Sequence, residues 1–382
     1  MRNPFYSTEL PVTAPFCDRE KEMGELTSHA LNRANVVLYS PRRYGKTSLV
    51  KRVQSKLAGE KVVTTYIDFF GIDSVEGVAQ RLAMSLYSIY KKDMSLLQKA
   101  SRILSSWKPS FTVKPDPESG FVITAEPATR ARGIDLLDET LTQFGEFTAK
   151  NENGFHVAFD EFQEITQLPD SLKIEGVMRS HIQSHSNVSY FFIGSRRRLL
   201  VDIFNTSKRA FYKSAINYQL PPLPKKAAVE FIVERFLAAG KSCPEEIAGS
   251  VFDLVGGYPY YIQKIPYAIY EIAEEDVIRP DDLAKGVQQV HEDEKPVYES
   301  YLQALAPAQI RLLAAIAKEP AASPYSMEYM GRHNLGSIGG IQGALAKLTA
   351  LDYIEKDEGT FRVVDPVFAL WLKFAGSVEI EN

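Results

Sequence analysis

The fold is decided by one stretch near the N-terminus, Val36-Val37-Leu38-Tyr39-Ser40-Pro41-Arg42-Arg43-Tyr44-Gly45-Lys46-Thr47-Ser48. Its apolar first part predicts a strand and its middle a tight turn, and a helix-like pattern follows from Ser48 to Leu57. This order suits a phosphate-binding P-loop, because backbone N–H groups and a helix N-terminus then face the same anion. We predict that Lys46 binds phosphate, that Thr47 is a Mg²⁺ ligand, and that the residues from Ser40 to Ser48 form the binding loop.

One residue of this loop departs from the usual pattern. Ser40 stands where the first glycine is expected, and serine is small enough for the turn. Arg42 and Arg43 lie inside the loop and are candidates for phosphate or subunit contacts. The alternative is an ordinary strand–turn–helix corner in which Gly-Lys-Thr occurs by accident.

Composition predicts a soluble protein of several domains. The chain has 382 residues, of which 45% are hydrophobic and 24% charged, so two or three globular domains are expected. A net charge of −4 gives no overall attraction to nucleic acid. Two cysteines, no signal peptide and no long apolar run together favour a reducing cytoplasm without membrane association.

Apolar strands alternate with helices along the first part of the chain, which predicts an α/β fold with helices on both faces of a parallel sheet. Pro221-Pro222-Leu223-Pro224 ends this pattern. The predicted domains are 1–222, a helical lid at 223–305, and a winged helix-turn-helix at 306–382. A Pro-rich segment, 108–130, contains an apparent hairpin and is predicted to be an insertion, either a partner-recognition element or a decoration that packs on its own domain.

The winged helix is predicted from three helices followed by a small hairpin. Its second helix, about 337–351, would face a DNA major groove. That helix holds one lysine and no arginine, and the wing carries Asp357 and Glu358. DNA readers normally make several phosphate contacts, so DNA is a conceivable partner but a packing or protein-binding module is favoured. A modest basic patch is available from Arg332, His333, Lys347, Lys356 and Arg362.

A pair of acids supplies what a P-loop needs for hydrolysis. Asp160 and Glu161 follow the buried strand that starts at Phe155. Ligands bind at the carboxyl ends of parallel strands, so Asp160 is predicted to hold Mg²⁺ and Glu161 to act as general base. The alternative is a solvent-facing acidic pair at a strand end.

Arginines complete the candidate site. The next strand ends in Gly194 and is followed by Ser195 and Arg196, either of which could contact the γ-phosphate. Arg209 is a candidate finger toward a neighbouring subunit, because an arginine in trans strongly accelerates phosphoryl transfer. The competing interpretation of the segment after Gly194 is a solvated basic turn, and that of Arg209 is a plain surface arginine.

Taken together, these motifs resemble the archaeal-type ATPase family within the AAA+ and STAND assembly of P-loop NTPases. The resemblance implies ATP rather than GTP, and it implies that the Phe16–Glu22 arm and the Gly256–Tyr261 turn bracket the adenine. Phe16, Arg19, Tyr258 and Pro259 are therefore expected contacts. The matching pieces are Phe16-Cys17-Asp18-Arg19-Glu20-Lys21-Glu22, Ser40 to Ser48, Phe159-Asp160-Glu161, Gly194-Ser195, Gly256-Gly257-Tyr258-Pro259 and Asp365-Pro366-Val367-Phe368-Ala369-Leu370-Trp371.

The motifs leave three functions open. The first is an ATPase that hydrolyses ATP with Mg²⁺ and uses the nucleotide state as a conformational or assembly switch, with nucleotide-dependent self-association. The second is a nucleotide-gated DNA-binding regulator acting through the winged helix. The third is a STAND-type signalling or defence scaffold with little hydrolysis. The protein partner is not encoded in any motif that we recognise.

Overall fold

The computed structural model describes residues 2–8, 10–92, 111–114, 122–125 and 133–375. The chain forms two compact units. The first, the sheet unit, contains Arg19–Arg42 and Lys46–Leu220; the second, the helical unit, contains Met1–Asp18, Arg43–Gly45 and Pro221–Asn382. The predicted separation of a lid domain from a winged-helix domain stays a prediction.

The sheet unit is built on five parallel strands, which in spatial order are β2 (Val63–Asp68), β5 (Phe155–Asp160), β6 (Val188–Gly194), β1 (Val36–Tyr39) and β7 (Ile216–Gln219). Strand β6, which Ser195 follows, lies between the P-loop strand β1 and the acidic strand β5. The elements, in chain order, are α1 (Glu20–Leu31), β1 (Val36–Tyr39), α2 (Lys46–Gly59), β2 (Val63–Asp68), α3 (Val75–Lys92), β3 (Phe111–Lys114), β4 (Val122–Ala125), α4 (Gly133–Ala149), β5 (Phe155–Asp160), a 3-10 helix (Phe162–Gln167), α5 (Ser171–Ser184), β6 (Val188–Gly194), α6 (Arg197–Asn205) and β7 (Ile216–Gln219).

Strands β5 and β6 are buried at every residue, which explains their continuous apolar sequence. Aromatic rings fill the core beside them, and Phe162 of the 3-10 helix packs edge-on against Phe192 at 4.7 Å. The predicted parallel α/β fold is thus confirmed. The sequence pattern did not predict helix α6, because Arg196 precedes it and two further arginines, Arg197 and Arg198, begin it and interrupt its apolar pattern.

The predicted insertion is described in part. Strands β3 and β4 pair antiparallel, with Val113 opposite Ile123. The predicted long helix from Val75 to about Leu104 is observed from Val75 to Lys92. The rest of both predictions, at 93–110, 115–121 and 126–132, lies outside the described residues.

The helical unit shares one apolar core, which includes Phe5 from the N-terminal arm and Phe368 from the last helix. The hairpin of β8 and β9 and the helices around it confirm the predicted winged helix. No helix in the described ranges is long and apolar enough to cross a bilayer. The elements are α7 (Lys225–Ala238), α8 (Glu245–Val255), α9 (Pro259–Ile272), α10 (Pro280–Gln303), α11 (Pro307–Lys318), α12 (Met327–Arg332), α13 (Ile338–Ala350), β8 (Ile354–Asp357), β9 (Thr360–Val363) and α14 (Pro366–Ala375).

Candidate active site

The P-loop connects β1 to α2, as the sequence predicts. Gly45 takes a φ of 81°, in the region that favours glycine, and Arg43 takes a φ of 60°. Ser40 does not have a positive φ, and its side chain is completely buried. The left-handed conformation therefore falls later in the loop, which explains why a serine fits where glycine is usual.

Lys46, the first residue of α2, folds back over this loop. Its Nζ donates hydrogen bonds to the carbonyl of Ser40 at 3.1 Å and of Pro41 at 2.9 Å. Burial lowers the pKa of Lys46 to about 8, although the carboxylates of Glu161 and Asp160 oppose this shift. The lysine thus lies within the field of both predicted acids, as a phosphate clamp beside a metal site requires.

Asp160 ends β5 and meets the P-loop directly. Its Oδ2 accepts a hydrogen bond from Thr47 Oγ1 at 3.1 Å, and its Oδ1 accepts one from the backbone N–H of Glu161 at 2.9 Å. Burial raises the pKa of Asp160, and the Thr47 hydroxyl works against that increase. The two predicted metal ligands are therefore neighbours in space although 113 positions separate them in sequence.

Tyr66 was missed by the sequence analysis. Its hydroxyl donates to Oδ2 of Asp160, the same oxygen that Thr47 contacts. Tyr66 reaches this oxygen because β2 pairs with β5, with Asp68 opposite Asp160. No motif carries this signal, since it depends on strand order and register.

Glu161 takes a left-handed conformation with a φ of 48°, which turns its side chain back over the sheet edge. The hydroxyl of Ser195 lies 3.0 Å from Oε1 and 3.1 Å from Oε2 of this carboxylate. The amide Nε2 of Gln163 donates to Oε2. Ser195 thus meets Glu161 because β6 adjoins β5, and Gln163 is a second contact that the sequence analysis had not identified.

The candidate arginines have separate surroundings. Arg196 precedes α6 and forms an ion pair with Glu164 at 3.4 Å. Its neighbour Arg197 acts electrostatically on Lys46, as does Arg42, and both lower the pKa of that lysine. Positive charge is therefore gathered around Lys46.

Arg209 forms an ion pair inside the sheet unit. Its Nε donates to Oε2 of Glu175 at 3.0 Å and its Nη2 to the other carboxylate oxygen. A further carboxylate oxygen, Oδ2 of Asp202, lies 3.6 Å from Nη1 of Arg209. A role as a finger in trans stays a prediction, and it would require this pair to open.

The predicted adenine contacts fall in both units. Arg19 belongs to the sheet unit, is 2% exposed and donates to Glu22 at 2.9 Å. Phe16 is half-buried in the helical unit. Tyr258 is buried in the helical unit and Pro259 begins α9. Their contact with adenine stays a prediction.

The central residues of the P-loop are held within the helical unit. The ring of Tyr44 meets that of Tyr258 edge-on at 4.7 Å. The guanidinium of Arg43 lies 4.3 Å above the ring of Tyr260 and 3.2 Å from both carboxylate oxygens of Glu294. Glu294 also accepts from Lys264 at 2.6 Å and from the Tyr260 hydroxyl at 2.9 Å. A nearly buried carboxylate therefore organises the environment of Arg43.

Two family descriptions cover most of the chain. Residues 16–265 match the ATPase domain found predominantly in Archaea, and residues 296–374 match a probable winged helix domain. No curated protein matches the sequence.

Solved structures share the fold. A Walker-type ATPase of Pyrococcus abyssi is 21% identical with a TM-score of 0.68, over 94% of this chain and 96% of that one. The ORC2 protein of Aeropyrum pernix, solved as ADPNP–ADP complexes, is 15% identical with a TM-score of 0.59, over 98% of both chains. The ORC1 protein of the same organism, solved with DNA, is 15% identical with a TM-score of 0.51, over 96% and 94%.

Fold and site together define a P-loop nucleotide hydrolase with a C-terminal winged helix. The chain belongs to the family of ATPases found predominantly in Archaea, and it is an ATPase.

Proposed function

We propose that the protein hydrolyses Mg·ATP at the edge of the sheet where Lys46, Thr47, Asp160 and Glu161 meet. The observation that carries the proposal is the 3.1 Å contact between Thr47 Oγ1 and Asp160 Oδ2 beside the buried ammonium of Lys46. A hydroxyl and a carboxylate are the hard oxygen donors that Mg²⁺ takes when phosphates complete its coordination. The donor set thus fits magnesium, which would neutralise charge on the phosphates.

Each residue has one task in this proposal. Lys46 exchanges its loop carbonyls for phosphate oxygens, while Thr47 and Asp160 hold the metal. Glu161 accepts a proton from the attacking water. A carboxylate offers about four lone-pair positions, and two donor groups, Ser195 and Gln163, occupy part of them. Room is left on Glu161 for a water molecule.

The remaining contacts are assigned as follows. Arg196 or Ser195 contacts the γ-phosphate, and Phe16, Arg19, Tyr258 and Pro259 contact the adenine. Of the first pair we favour Ser195, because its hydroxyl already lies beside the base and Arg196 is engaged by Glu164.

We further propose that the nucleotide state acts as a switch. Arg43 and Tyr44 belong to the P-loop in sequence, yet their ion pair and ring contact lie in the helical unit. A loop that changes its conformation around phosphates must change these contacts, so α9 and α10 would respond. If the switch controls assembly, copies of the chain are expected to associate with one another when ATP is bound.

The decisive experiment compares phosphate release by the native protein and Glu161→Gln, each with Mg²⁺ and with a chelator. Turnover that needs Mg²⁺ and disappears in the variant, while ATP binding persists, would support the proposal. Glu146→Gln, an exposed glutamate on α4, is the matched control. Full turnover by Glu161→Gln would contradict the assigned base. Mass measurement with and without ATP tests the assembly part.

A DNA-binding regulator is the second candidate, favoured by the winged helix itself. The charges argue against it. Arg332 pairs with Glu319 and Glu328, both at 2.6 Å, and Arg362 pairs with Glu355 at 2.9 Å. These acids compete with phosphates for the basic patch. Duplex-DNA affinity that falls steeply between about 50 and 200 mM salt would establish this candidate, and unchanged weak binding would exclude it.

A further inference from the structure

We propose that Gln163 is a positioning residue for the ATPase reaction, which holds the carboxylate of Glu161 in the orientation of a general base. This inference rests on the proposed role of Glu161. Gln163 lies on the 3-10 helix that follows β5, two residues after the base, and its Nε2 donates directly to Glu161 Oε2. No motif or family description assigns this residue a role.

The burial of the amide is the first argument. Gln163 is 0% exposed, and among the described residues its Oε1 has no hydrogen-bond partner. An unsatisfied buried polar atom destabilises the folded state. The fold therefore carries a destabilising group whose other end makes a single contact, to Glu161. A purely structural role would be filled better by an apolar side chain of the same shape.

The space around the amide is the second argument. Gly194, the last residue of β6, leaves the volume that Oε1 of Gln163 occupies, because a Cβ at this position would collide with that oxygen. The same strand end supplies Ser195, whose hydroxyl contacts Glu161 at 3.0 Å. Gly194 and the residue that follows it, Ser195, thus both act on the Glu161 carboxylate: Gly194 leaves room for the Gln163 side chain, and Ser195 makes a direct contact.

The two donors differ in what else they can do. Ser195 has one hydroxyl proton. In the proposed reaction a phosphate oxygen competes with Glu161 for the hydrogen bond from that hydroxyl. Gln163 is enclosed in the core, and among the described residues its Nε2 has no acceptor besides Glu161. Gln163 therefore remains a fixed donor when the Ser195 hydroxyl turns to the phosphate, and the carboxylate of Glu161 keeps its orientation through the reaction.

The test uses Gln163→Met, which keeps the shape and removes the donor. We expect kcat to fall about 10- to 100-fold, because a small misplacement of a catalytic group has effects of this size. KM and ATP affinity should stay unchanged. Stability should stay equal or rise, since the unsatisfied oxygen is removed. Gln167→Leu, an exposed glutamine on the same 3-10 helix, is the matched control.

A second variant, Gln163→Glu, adds a readout that a structural role would not move. A second carboxylate beside Glu161 disfavours the charged base, so the acid limb of the kcat–pH profile should move to higher pH. An unchanged kcat in Gln163→Met would overturn the inference. So would a lower kcat accompanied by weaker ATP binding and lower stability, which would indicate a structural role.

Glu161→Gln is measured in parallel to separate the two proposals. If it is inactive while Gln163→Met is fully active, only the positioning role fails. If Glu161→Gln itself turns over at the native rate, the assigned base fails first.

Discussion

The guanidinium of Arg209 forms a two-point ion pair with the fully buried carboxylate of Glu175. The side chains are 18% and 0% exposed, and 34 positions separate them in sequence. Breaking a buried pair leaves one charge uncompensated, which costs about 3–5 kcal/mol. This arginine therefore has a structural task within the sheet unit.

We predict that Arg209→Met lowers the free energy of unfolding by about 3 kcal/mol, since Glu175 is left buried without a partner. The double variant Arg209→Met/Glu175→Leu should recover most of this loss, because neither charge then remains. Urea unfolding of both proteins measures the effect. A single variant as stable as the native protein would instead free Arg209 for a role in trans.

The affinity for ATP should decrease above about pH 8. Burial lowers the pKa of Lys46 to about 8, and bound phosphates would raise it again. Below pH 8 the lysine is charged in both states and affinity is constant. Above it, binding must take up a proton, and affinity falls by up to about tenfold per pH unit.

Calorimetry in two buffers with different ionisation enthalpies tests this at pH 7 and pH 9. The Lys46→Arg variant keeps its charge over this range and should show a flat profile. Equal native affinities at both values, without proton uptake, would contradict the assignment of Lys46 as the clamp.

Tyr66→Phe should increase the Mg²⁺ concentration that activity requires. The tyrosine hydroxyl lowers the pKa of Asp160 against the effect of burial, so its removal favours the protonated acid. We expect the Mg²⁺ concentration for half-maximal activity to increase several-fold, with a larger increase at acidic pH. Tyr218→Phe serves as control. Tyr218 lies on the edge strand β7, and its hydroxyl donates to Glu25 at 2.6 Å. A metal dependence shared by both variants would exclude the specific effect.

The fold should lose stability as the pH falls below about 6.5. Burial lowers the pKa of His156 to about 3 and that of His185 to about 4, both from an ordinary 6.5. The folded state keeps both rings neutral while the unfolded chain binds protons, so unfolding becomes easier toward pH 4. His156→Phe should show a smaller loss between pH 7 and pH 5 in urea unfolding. If the free energy of unfolding of His156→Phe depends on pH as steeply as that of the native protein, this histidine is not a source of the pH dependence. His29→Gln, which replaces a less buried ring, is the control.

Glu294→Gln should disturb the P-loop from outside the sheet unit. The carboxylate is 4% exposed and compensates Arg43 and Lys264. We expect a loss of about 2–3 kcal/mol in stability, toward the lower end for a buried pair because Arg43 is 43% exposed. ATP affinity should fall as well. Exposed Glu292→Gln on the same helix is the comparison, and a native-like Glu294→Gln would remove the basis for the switch.

The sequence predicts the frame of the molecule well. Strand β1, the glycine–lysine–threonine turn and the acids at the end of β5 are local patterns, and the structure has them where the sequence predicts them. Their meeting also follows, because parallel strands place their carboxyl ends at one edge. The sheet order places β6, which Ser195 follows, between β1 and β5.

Contacts that depend on three-dimensional neighbours were not predictable. Tyr66 and Gln163 carry no motif, and their positions follow from register and from the space left by Gly194. Arg209 looked like a surface arginine because it lies in a turn and its acid partner, Glu175, belongs to helix α5, 34 positions earlier. The basic patch of the winged helix looked available because its acid partners lie up to 14 positions away in sequence.

Residues 43–45 count with the helical unit although the chain on both sides counts with the sheet unit. The chain therefore passes from one unit to the other repeatedly, and Pro221 is not a clean place to cut and rejoin relatives. In a chimera joined there, Arg43 would come from one parent, while its contacts Glu294 and Tyr260 would come from the other. A swap that respects this arrangement must carry the three loop residues along with the helical unit, so a chimera of this chain has to be assembled from segments rather than from whole domains.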